Sequence, residues 1–464
     1  KQAGTPPSYS GIFSGCISLK TLTLPERTTY IGNYAFSVTD NTGDPQDDSR
    51  QTGLTVLNLP ATLKTIGIGA FQYSNYLTTV NIASGSKLET ISNNAFQYCY
   101  VLEAINLPAS LKTIGNNAFA NAKLLGEVTF GENSELTSIG TGAFNGCLDL
   151  KSIEIPASVK TIGNNAFKNA KRLASVTFEE GSEITSIGNN AFDSTAITEF
   201  SFPETTGSLT AGNSLFNACV KLKKVYISKN VTNLAKAFNS CGSITEITVS
   251  ADHASAKVTD NMLTSTDGRN IYYVLPGAES STFKVANGVE IIGSYAFANK
   301  DDITKIVIPA SVKTIDTYAF SGCTALEEIE FESGSELSKI NNYAFNNCSS
   351  LKSITLPKAV TSLGNYVFAG CSSLTSVEFG SSFKTLGQND FRNCTSLKSI
   401  TLPAGVTALP NYLFDGCSAL TDVKFKGIVT TIGNFCFQNC TSLVSFEIPE
   451  SVKKLGSPTL NKQG

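Results

Sequence analysis

The residues of this chain best suited to chemistry are its twelve cysteines and its one histidine. Thiolates bind zinc or act as nucleophiles, and an imidazole serves as a general base, so spacing decides whether they form a site. No C-x-x-C pair occurs, although zinc sites normally use ligands at such spacings. His253 has no second histidine with which to share a metal, and we expect it to be a solvated loop residue. A serine–histidine mechanism through it remains a weak alternative.

The cysteines instead follow a repeat, because eleven of them lie three residues after a recurring phenylalanine. They are Cys16, Cys99, Cys147, Cys219, Cys241, Cys323, Cys348, Cys371, Cys394, Cys417 and Cys440. Other repeats place Ala122, Ala170, Ser74 or Thr195 at this position, so it is a small buried slot that a free thiol fills as a small apolar group. Cys436 is the exception and replaces the alanine before Phe437. We therefore prefer core filling over a metal or disulfide role for the cysteines.

Two further segments could bind a ligand, and both are poor matches. The acidic insertion 37–53 contains Asp40, Asp44, Asp47 and Asp48, but Pro45 stands where a calcium-binding EF-hand loop needs glycine. We expect a mobile, solvated loop there, with calcium binding at 40–48 left open. The segment "GTGAFNG" (140–146) has its third glycine one place too late for a dinucleotide fingerprint. The sequence thus predicts no catalytic, cofactor or metal site, and no enzyme.

A repeat of mostly 23 or 25 residues organises the chain. Its anchor phenylalanines are residues 13, 36, 71, 96, 119, 144, 167, 192, 216, 238, 297, 320, 345, 368, 391, 414 and 437. In "LKSIEIP" (150–156) the period-two pattern predicts a short strand that Pro156 ends, and Gly163, Asn164 and Asn165 supply residues that tolerate left-handed backbone. One such unit cannot bury its apolar face alone, so stacked units must share a core. We predict a leucine-rich-repeat-like solenoid of parallel strands with about 18 rungs.

The repeats come in two lengths. The shorter unit continues after its strand as "LPASVKTIG", whereas the longer one carries a polar turn with two extra residues, as in "FGENSELTSIG" (130–140). Long and short units alternate through much of the first half, and the last four intervals are all short.

A large insertion between Phe238 and Phe297 should split the array into two blocks. Within "DNMLTSTDGRNIYYVLPG" (260–277), the Asp267-Gly268 pair between apolar runs predicts a β-hairpin. We therefore divide the chain into an N-terminal repeat block (1–250, with the acidic insertion 37–53), a hairpin insertion (251–285) and a C-terminal repeat block (286–464).

What remains for function is the outward face of the strands, where the central position is mostly Thr or Asn in the first half and includes Glu later. A solvated sheet face explains any single one of these residues, whereas the whole column resembles the ligand-binding surface that solenoids commonly use. Aromatic residues dominate binding hot spots. The ligand-binding candidates are Lys224, Tyr226, Tyr272, Tyr273, Asn58, Asn81 and Asn106.

Charge and hydropathy exclude several classes of function. The formal charge of −3 lacks the basic excess of nucleic-acid binders and gives no polybasic patch for a membrane. No apolar run reaches the 18 or more residues of a membrane span. The chain opens within a repeat and without a signal-peptide pattern, so we expect any export signal or anchor to lie outside it.

The repeat unit C-x-x-L-x-x-I-x-L-P-x-S-V-x-x-I-G-x-x-A-F, seen in 147–167 and 323–345, resembles the BspA-type leucine-rich repeats. These occur in surface and secreted proteins of gut and oral anaerobic bacteria and of some mucosal protozoa, and the resemblance covers nearly the whole chain. It implies placement at the cell surface or secretion. It also implies, as for some members, adhesion to a host extracellular-matrix protein, a mucin or glycan, or another bacterial surface protein. It implies no catalytic residues and no cofactor.

Two classes of function therefore remain. The first is a non-enzymatic adhesion or recognition module that binds its ligand through the strand face. The second is a structural spacer or scaffold within a larger surface protein.

Overall fold

The computed structural model describes residues 12–13, 16, 18–37, 53–276 and 281–456. The chain forms two compact units, Lys1–Ala254 and Ser255–Gly464. Parallel strands stack in sequence order within each unit, so each unit is a parallel β-solenoid, and the two together contain about 17 turns. The predicted solenoid is confirmed. The acidic insertion at Asp40, Asp44, Asp47 and Asp48 lies outside the described residues.

Turns of the first unit contribute a long strand and, in all but the last, a short strand, and these stack into two separate rows. The long strands are Thr21–Thr23, Val56–Leu59, Thr79–Ile82, Ala104–Leu107, Glu127–Phe130, Ser152–Ile155, Ser175–Phe178, Glu199–Ser201, Lys224–Ile227 and Glu246–Val249. The short strands are Tyr30–Ile31, Thr65–Ile66, Thr90–Ile91, Thr113–Ile114, Ser138–Ile139, Thr161–Ile162, Ser186–Ile187, Leu209–Ala211 and Val231–Thr232. A single helical turn, Leu234–Ala237, follows the last short strand.

The second unit repeats this arrangement after a three-stranded start. Its first strands are Ala256–Thr259, Met262–Ser265 and Asn270–Val274. The long strands are Thr282–Lys284, Lys305–Ile308, Glu328–Phe331, Ser353–Thr355, Ser376–Glu378, Ser399–Leu402 and Asp422–Phe425. The short strands are Ile291–Ile292, Thr314–Ile315, Lys339–Ile340, Ala408–Leu409, Thr431–Ile432 and Lys454–Leu455.

The predicted hairpin is confirmed. Met262–Ser265 pairs antiparallel with Asn270–Val274, and Gly268 in the connecting turn has a φ of 74°. Sequence reasoning missed a third strand, Ala256–Thr259, which pairs antiparallel with Met262–Ser265. Asn270–Val274 also pairs in parallel with Ile291–Ile292, so the hairpin extends the row of short strands of the second unit.

The core consists of columns of identical side chains. The rings of Phe71, Phe96 and Phe119 stack nearly parallel, with centroid distances of 5.3 and 5.4 Å, and all three are fully buried. Beside this phenylalanine column, the Cys99 thiol donates a hydrogen bond to the Phe71 carbonyl at 3.2 Å, and the Cys147 thiol repeats this bond with Phe119. The small-slot prediction is therefore confirmed at these cysteines.

In the turn before the anchor Phe167, asparagine has two different roles. Of Gly163, Asn164 and Asn165, which tolerate left-handed backbone, only Asn165 has a positive φ, at 55°. Asn164 instead accepts, through its Oδ1 atom, a hydrogen bond from the Asn189 backbone N–H of the next repeat at 2.8 Å. The turn expected at these residues is therefore present, with left-handed backbone at Asn165 alone, while the neighbouring Asn164 joins successive turns.

Glycine precedes these asparagines because successive backbones approach closely there. A β-carbon built on Gly140 would lie 2.5 Å from the carbonyl carbon of Gly115 in the preceding repeat. Gly207 lies in an exposed bend, where no described atom is within 4 Å of the equivalent β-carbon. The glycine requirement therefore comes from stacking on a preceding repeat rather than from φ.

The two positions make a matched pair of tests. We expect Gly140→Ala to lower the free energy of unfolding by about 2–3 kcal/mol or more, because a packed backbone has no room for the methyl group. Gly207→Ala should leave the free energy of unfolding unchanged or slightly raised, since the substitution reduces the conformational freedom of the unfolded chain. Urea unfolding followed by circular dichroism measures both. Equal loss in both variants would show that the glycine serves backbone conformation instead.

Candidate binding surface

The strand face, meaning the outward side of the long strands, carries a ladder of polar side chains joined across successive turns. Asn58 donates from Nδ2 to Thr23 Oγ1 at 3.0 Å, and Asn81 donates from Nδ2 to Asn58 Oδ1 at 2.8 Å. Thr129 donates to Asn106 Oδ1 at 2.6 Å. Asn81, Asn106 and Thr129 are exposed, while Asn58 is half-buried. Asn58 and Asn81 thus form one hydrogen-bonded segment of this polar surface, and Asn106 forms a second segment with Thr129.

Because long and short repeats alternate, grooves form between their loops beside this ladder. The longer loop at 83–86 projects next to the shorter loop at 107–110, and Gly131 begins the next long loop. Together with Asn106 and Thr129 they line a groove of about 370 Å³. Sequence reasoning noted the two repeat lengths but not this consequence, which follows because a loop with two extra residues extends farther than its neighbours.

A long loop next to a short one also forms a larger groove in the second unit. This groove has a volume of about 900 Å³ and lies beside the long loop at 331–335. Leu356 and Pro357 give it an apolar lining, and Glu328 and Glu330 lie along it. Lys305 lies 2.7 Å from Glu328 and 2.8 Å from Glu330, so this part of the strand face carries both signs of charge. These hydrogen bonds raise the pKa of Lys305 and lower that of Glu330.

Lys224 and Tyr226 lie on the strand face as predicted, and both are engaged with neighbours. Lys224 forms an ion pair with Glu246 at 3.0 Å, and the Tyr226 hydroxyl donates to Glu204 Oε1 at 2.8 Å. The bond to Glu204 raises the pKa of Tyr226. A ligand at this part of the face would therefore meet a fixed, charged network.

The two hairpin tyrosines, Tyr272 and Tyr273, differ in burial. Tyr272 is half-buried and remains accessible. Tyr273 is 3% exposed, and Lys300 Nζ lies 4.9 Å from the centre of its ring. Because successive residues of a strand face opposite sides, one of the pair had to turn inward. The choice of Tyr273 as a surface anchor was therefore wrong.

His253 is also placed differently from our expectation, since it is only 6% exposed. Its Nε2 atom lies 3.0 Å from the Val231 carbonyl, to which a ring N–H donates. Burial lowers the pKa of this imidazole, so it is neutral at pH 7. The prediction of a solvated loop residue was wrong, because the histidine joins the insertion to a short strand.

Asp390 is a buried carboxyl group that sequence reasoning did not single out, although it replaces the usual alanine before an anchor phenylalanine. It accepts hydrogen bonds from the Val367 N–H at 3.0 Å and the Gly387 N–H at 2.6 Å. Burial raises the pKa of Asp390 to about 8. Both oxygens face backbone donors and the residue is 0% exposed, so its geometry suits a structural role rather than contact with a substrate.

Within the described ranges, no group of three or more His, Cys, Asp or Glu side chains could hold a metal ion. Calcium binding at 40–48 falls on residues that the structure does not describe. The described arrangement offers polar ladders and open grooves, which suit binding rather than reaction.

Two rows of parallel strands, with Leu, Ile, Phe and Cys at fixed inward positions, define a leucine-rich-repeat solenoid. The chain belongs to the BspA-type leucine-rich repeat family. The model of that family, described as a BspA type leucine rich repeat region and present in six copies, matches residues 9–43, 49–170, 137–262, 290–421 and 338–463.

Solved structures of bacterial proteins share the fold. A leucine-rich repeat protein from Eubacterium ventriosum is 23% identical and superposes with a TM-score of 0.56, covering 72% of this chain and 82% of its own. A leucine-rich cell surface protein from Faecalibacterium prausnitzii is also 23% identical, with a TM-score of 0.52 and coverage of 91% and 96%. No curated protein sequence matches the chain. None of the helices in the described part of the chain is long and apolar enough to cross a membrane.

The thiols should resist modification in the folded protein. Burial raises the pKa of Cys371 to about 12, and Cys16 is the one exposed cysteine among the described residues. Because the thiolate is the reactive form, we expect native protein treated with iodoacetamide to be labelled at Cys16 alone. Mass spectrometry after proteolysis counts the labels, with urea-unfolded protein as the control. Rapid native labelling at several positions would contradict the packed cysteine column.

Asp390 should make stability depend on pH. The pKa of its carboxyl group is about 3.9 when unfolded and about 8 when folded, so the folded state holds the proton more tightly. Its contribution is therefore complete below about pH 4 and is lost as the pH rises through about 8. Between pH 5 and pH 9 we expect the wild type to lose more stability than Asp390→Ala. Urea unfolding at both values tests this, with Glu378→Gln as the exposed control, and equal slopes in wild type and Asp390→Ala would contradict it.

Proposed function

We propose that this chain is a non-catalytic recognition module of a cell-surface or secreted protein. It binds a host extracellular-matrix protein, a mucin or glycan, or another bacterial surface protein through its strand face. The observation that carries the proposal is the hydrogen-bonded ladder Asn58–Asn81 together with the groove between the loops 83–86 and 107–110.

This surface is fixed before any ligand arrives, and that favours recognition. Each amide of the ladder is held by a neighbour on the adjacent strand, so binding costs little additional ordering of side chains. The loops beside it vary in length while the strands keep their register, which is how a solenoid changes its ligand without changing its fold. Family membership and the cell-surface protein of Faecalibacterium prausnitzii support placement outside the cell.

The first experiment is surface-plasmon resonance of the purified chain against extracellular-matrix proteins, mucins and polysaccharides. Deleting the insertion 251–285 is a poor probe, because Met262, Ile271 and Val285 belong to the buried core of the second unit. Substitutions on the strand face are cleaner. We expect saturable binding to one ligand class, weakened at least about tenfold by the double variant Asn81→Arg and Asn106→Arg.

The matched control is Thr161→Arg, which places the same side chain on the row of short strands. It should bind like the wild type if the strand face carries the site. Equal loss in the control and the double variant would show that binding depends on charge alone. Absence of a binding signal for every ligand of the panel would contradict recognition of these ligands and would favour a structural spacer within a larger surface protein.

A further inference from the structure

A second surface of the first unit stands out because exposed or half-buried Tyr and Leu side chains recur on four successive turns. Tyr76, Leu124 and Leu148 are 42%, 45% and 37% exposed, and Tyr100 lies half-buried between them. Each follows an anchor phenylalanine by four or five residues, so they occupy successive turns. We call Tyr76, Tyr98, Tyr100, Leu124 and Leu148 the turn patch. In the second unit the fourth position after the anchor is polar throughout, with Asp301 followed by Thr324, Ser349, Ser372, Thr395, Ser418 and Thr441.

The members of the turn patch are physically adjacent. The Leu124 N–H donates to the Tyr100 carbonyl at 3.1 Å, which fixes these two turns side by side. The ring of Tyr98 stacks on that of Tyr73 at 4.6 Å and meets the ring of Tyr100 edge-on at 5.9 Å. Aromatic residues on neighbouring turns therefore form one continuous cluster rather than isolated exposed groups.

Basic side chains border this cluster. Lys123 Nζ lies 4.5 Å from the centre of the Tyr100 ring. On the turn after Leu148, the same positions hold Lys171 and Arg172, which are both exposed. Arg172 forms an ion pair with Asp149 at 3.0 Å, and 63% of its side chain stays exposed. A chain with a net charge of −3 thus presents an apolar patch with a locally basic border.

We propose that the turn patch docks an acidic polypeptide segment that carries apolar side chains. Two exposed leucines gain by contact with aliphatic or aromatic groups, which favours a protein over a glycan. Tyrosine and arginine are the residues that most often dominate protein interfaces. Lys171 and Arg172 complement carboxylates, which speeds association and sets the orientation of the partner. This site is separate from the strand face and does not depend on the function proposed for that face.

Fluorescence anisotropy of the full chain with labelled synthetic peptides tests the proposal. One pool combines Asp and Glu with Leu and Phe, and a matched pool replaces the acidic residues with Lys and Arg. We expect the acidic pool to bind more tightly, and binding to weaken with salt. The triple variant Tyr76→Ser, Leu124→Ser and Leu148→Ser should weaken it at least about tenfold. The double variant Lys171→Ser and Arg172→Ser should mainly slow association.

Val220→Ser is the matched control, because Val220 is 74% exposed at the equivalent position of a turn outside the patch. It should bind the acidic pool like the wild type, and circular dichroism checks that every variant is folded. Equal binding by the wild type and the triple variant would overturn the proposal. Preference for the basic pool, preference for heparin over the acidic peptides, or no binding to either pool would overturn it as well.

Discussion

The structure depends on the close hydrogen-bonded contact between successive turns at the anchor phenylalanine. The Phe71 N–H donates to the Ala95 carbonyl of the next repeat at 2.8 Å, and the Phe96 N–H donates to Ala118 at 2.7 Å. Because this contact sets the spacing of the turns, equivalent side chains must stack on themselves. The stacked phenylalanine rings, the hydrogen bonds from cysteine thiols to carbonyl groups and the asparagine side chains that join successive turns all follow from this stacking. Glycine is present where a β-carbon would collide with the backbone of the preceding turn.

The same constraint determines where function can reside. Inward positions admit only a few residue types, and thiols held there are too buried and too weakly acidic to react. Outward side chains are not constrained by packing in the core. Because they repeat with the spacing of the turns, a residue type that recurs at one outward position forms a continuous surface. The polar ladder of the strand face and the apolar turn patch are two such surfaces on the first unit. The length of the loops also varies between repeats. A long loop beside a short one forms a groove without changing the register of the strands.

Sequence reasoning recovered what the repeat specifies and failed where the repeat is interrupted. The anchors, the cysteine slot and the hairpin at Asp267-Gly268 were predicted because each rests on a period or a turn signal. His253 and Tyr273 were assigned to the surface, since no period in the insertion indicates which side of a strand faces inward. The grooves required knowing that long and short loops lie side by side. Asp390 breaks the alanine pattern at a position whose burial only the register reveals. In the sequence, the turn patch corresponds to Tyr100 and Leu148 at a position that is Ser or Thr in most repeats of the second unit, and to Tyr76 and Leu124 one residue later.

The central claim is that the recognition surface of the first unit is rigid before any ligand binds. Native-state hydrogen exchange measured by mass spectrometry tests it directly. We predict slow exchange for the amides of Val56–Leu59, Ala104–Leu107 and Glu127–Phe130, comparable to that of the turns at Phe71 and Phe96. Fast exchange along these long strands, with protection confined to the turns, would contradict a preformed binding surface.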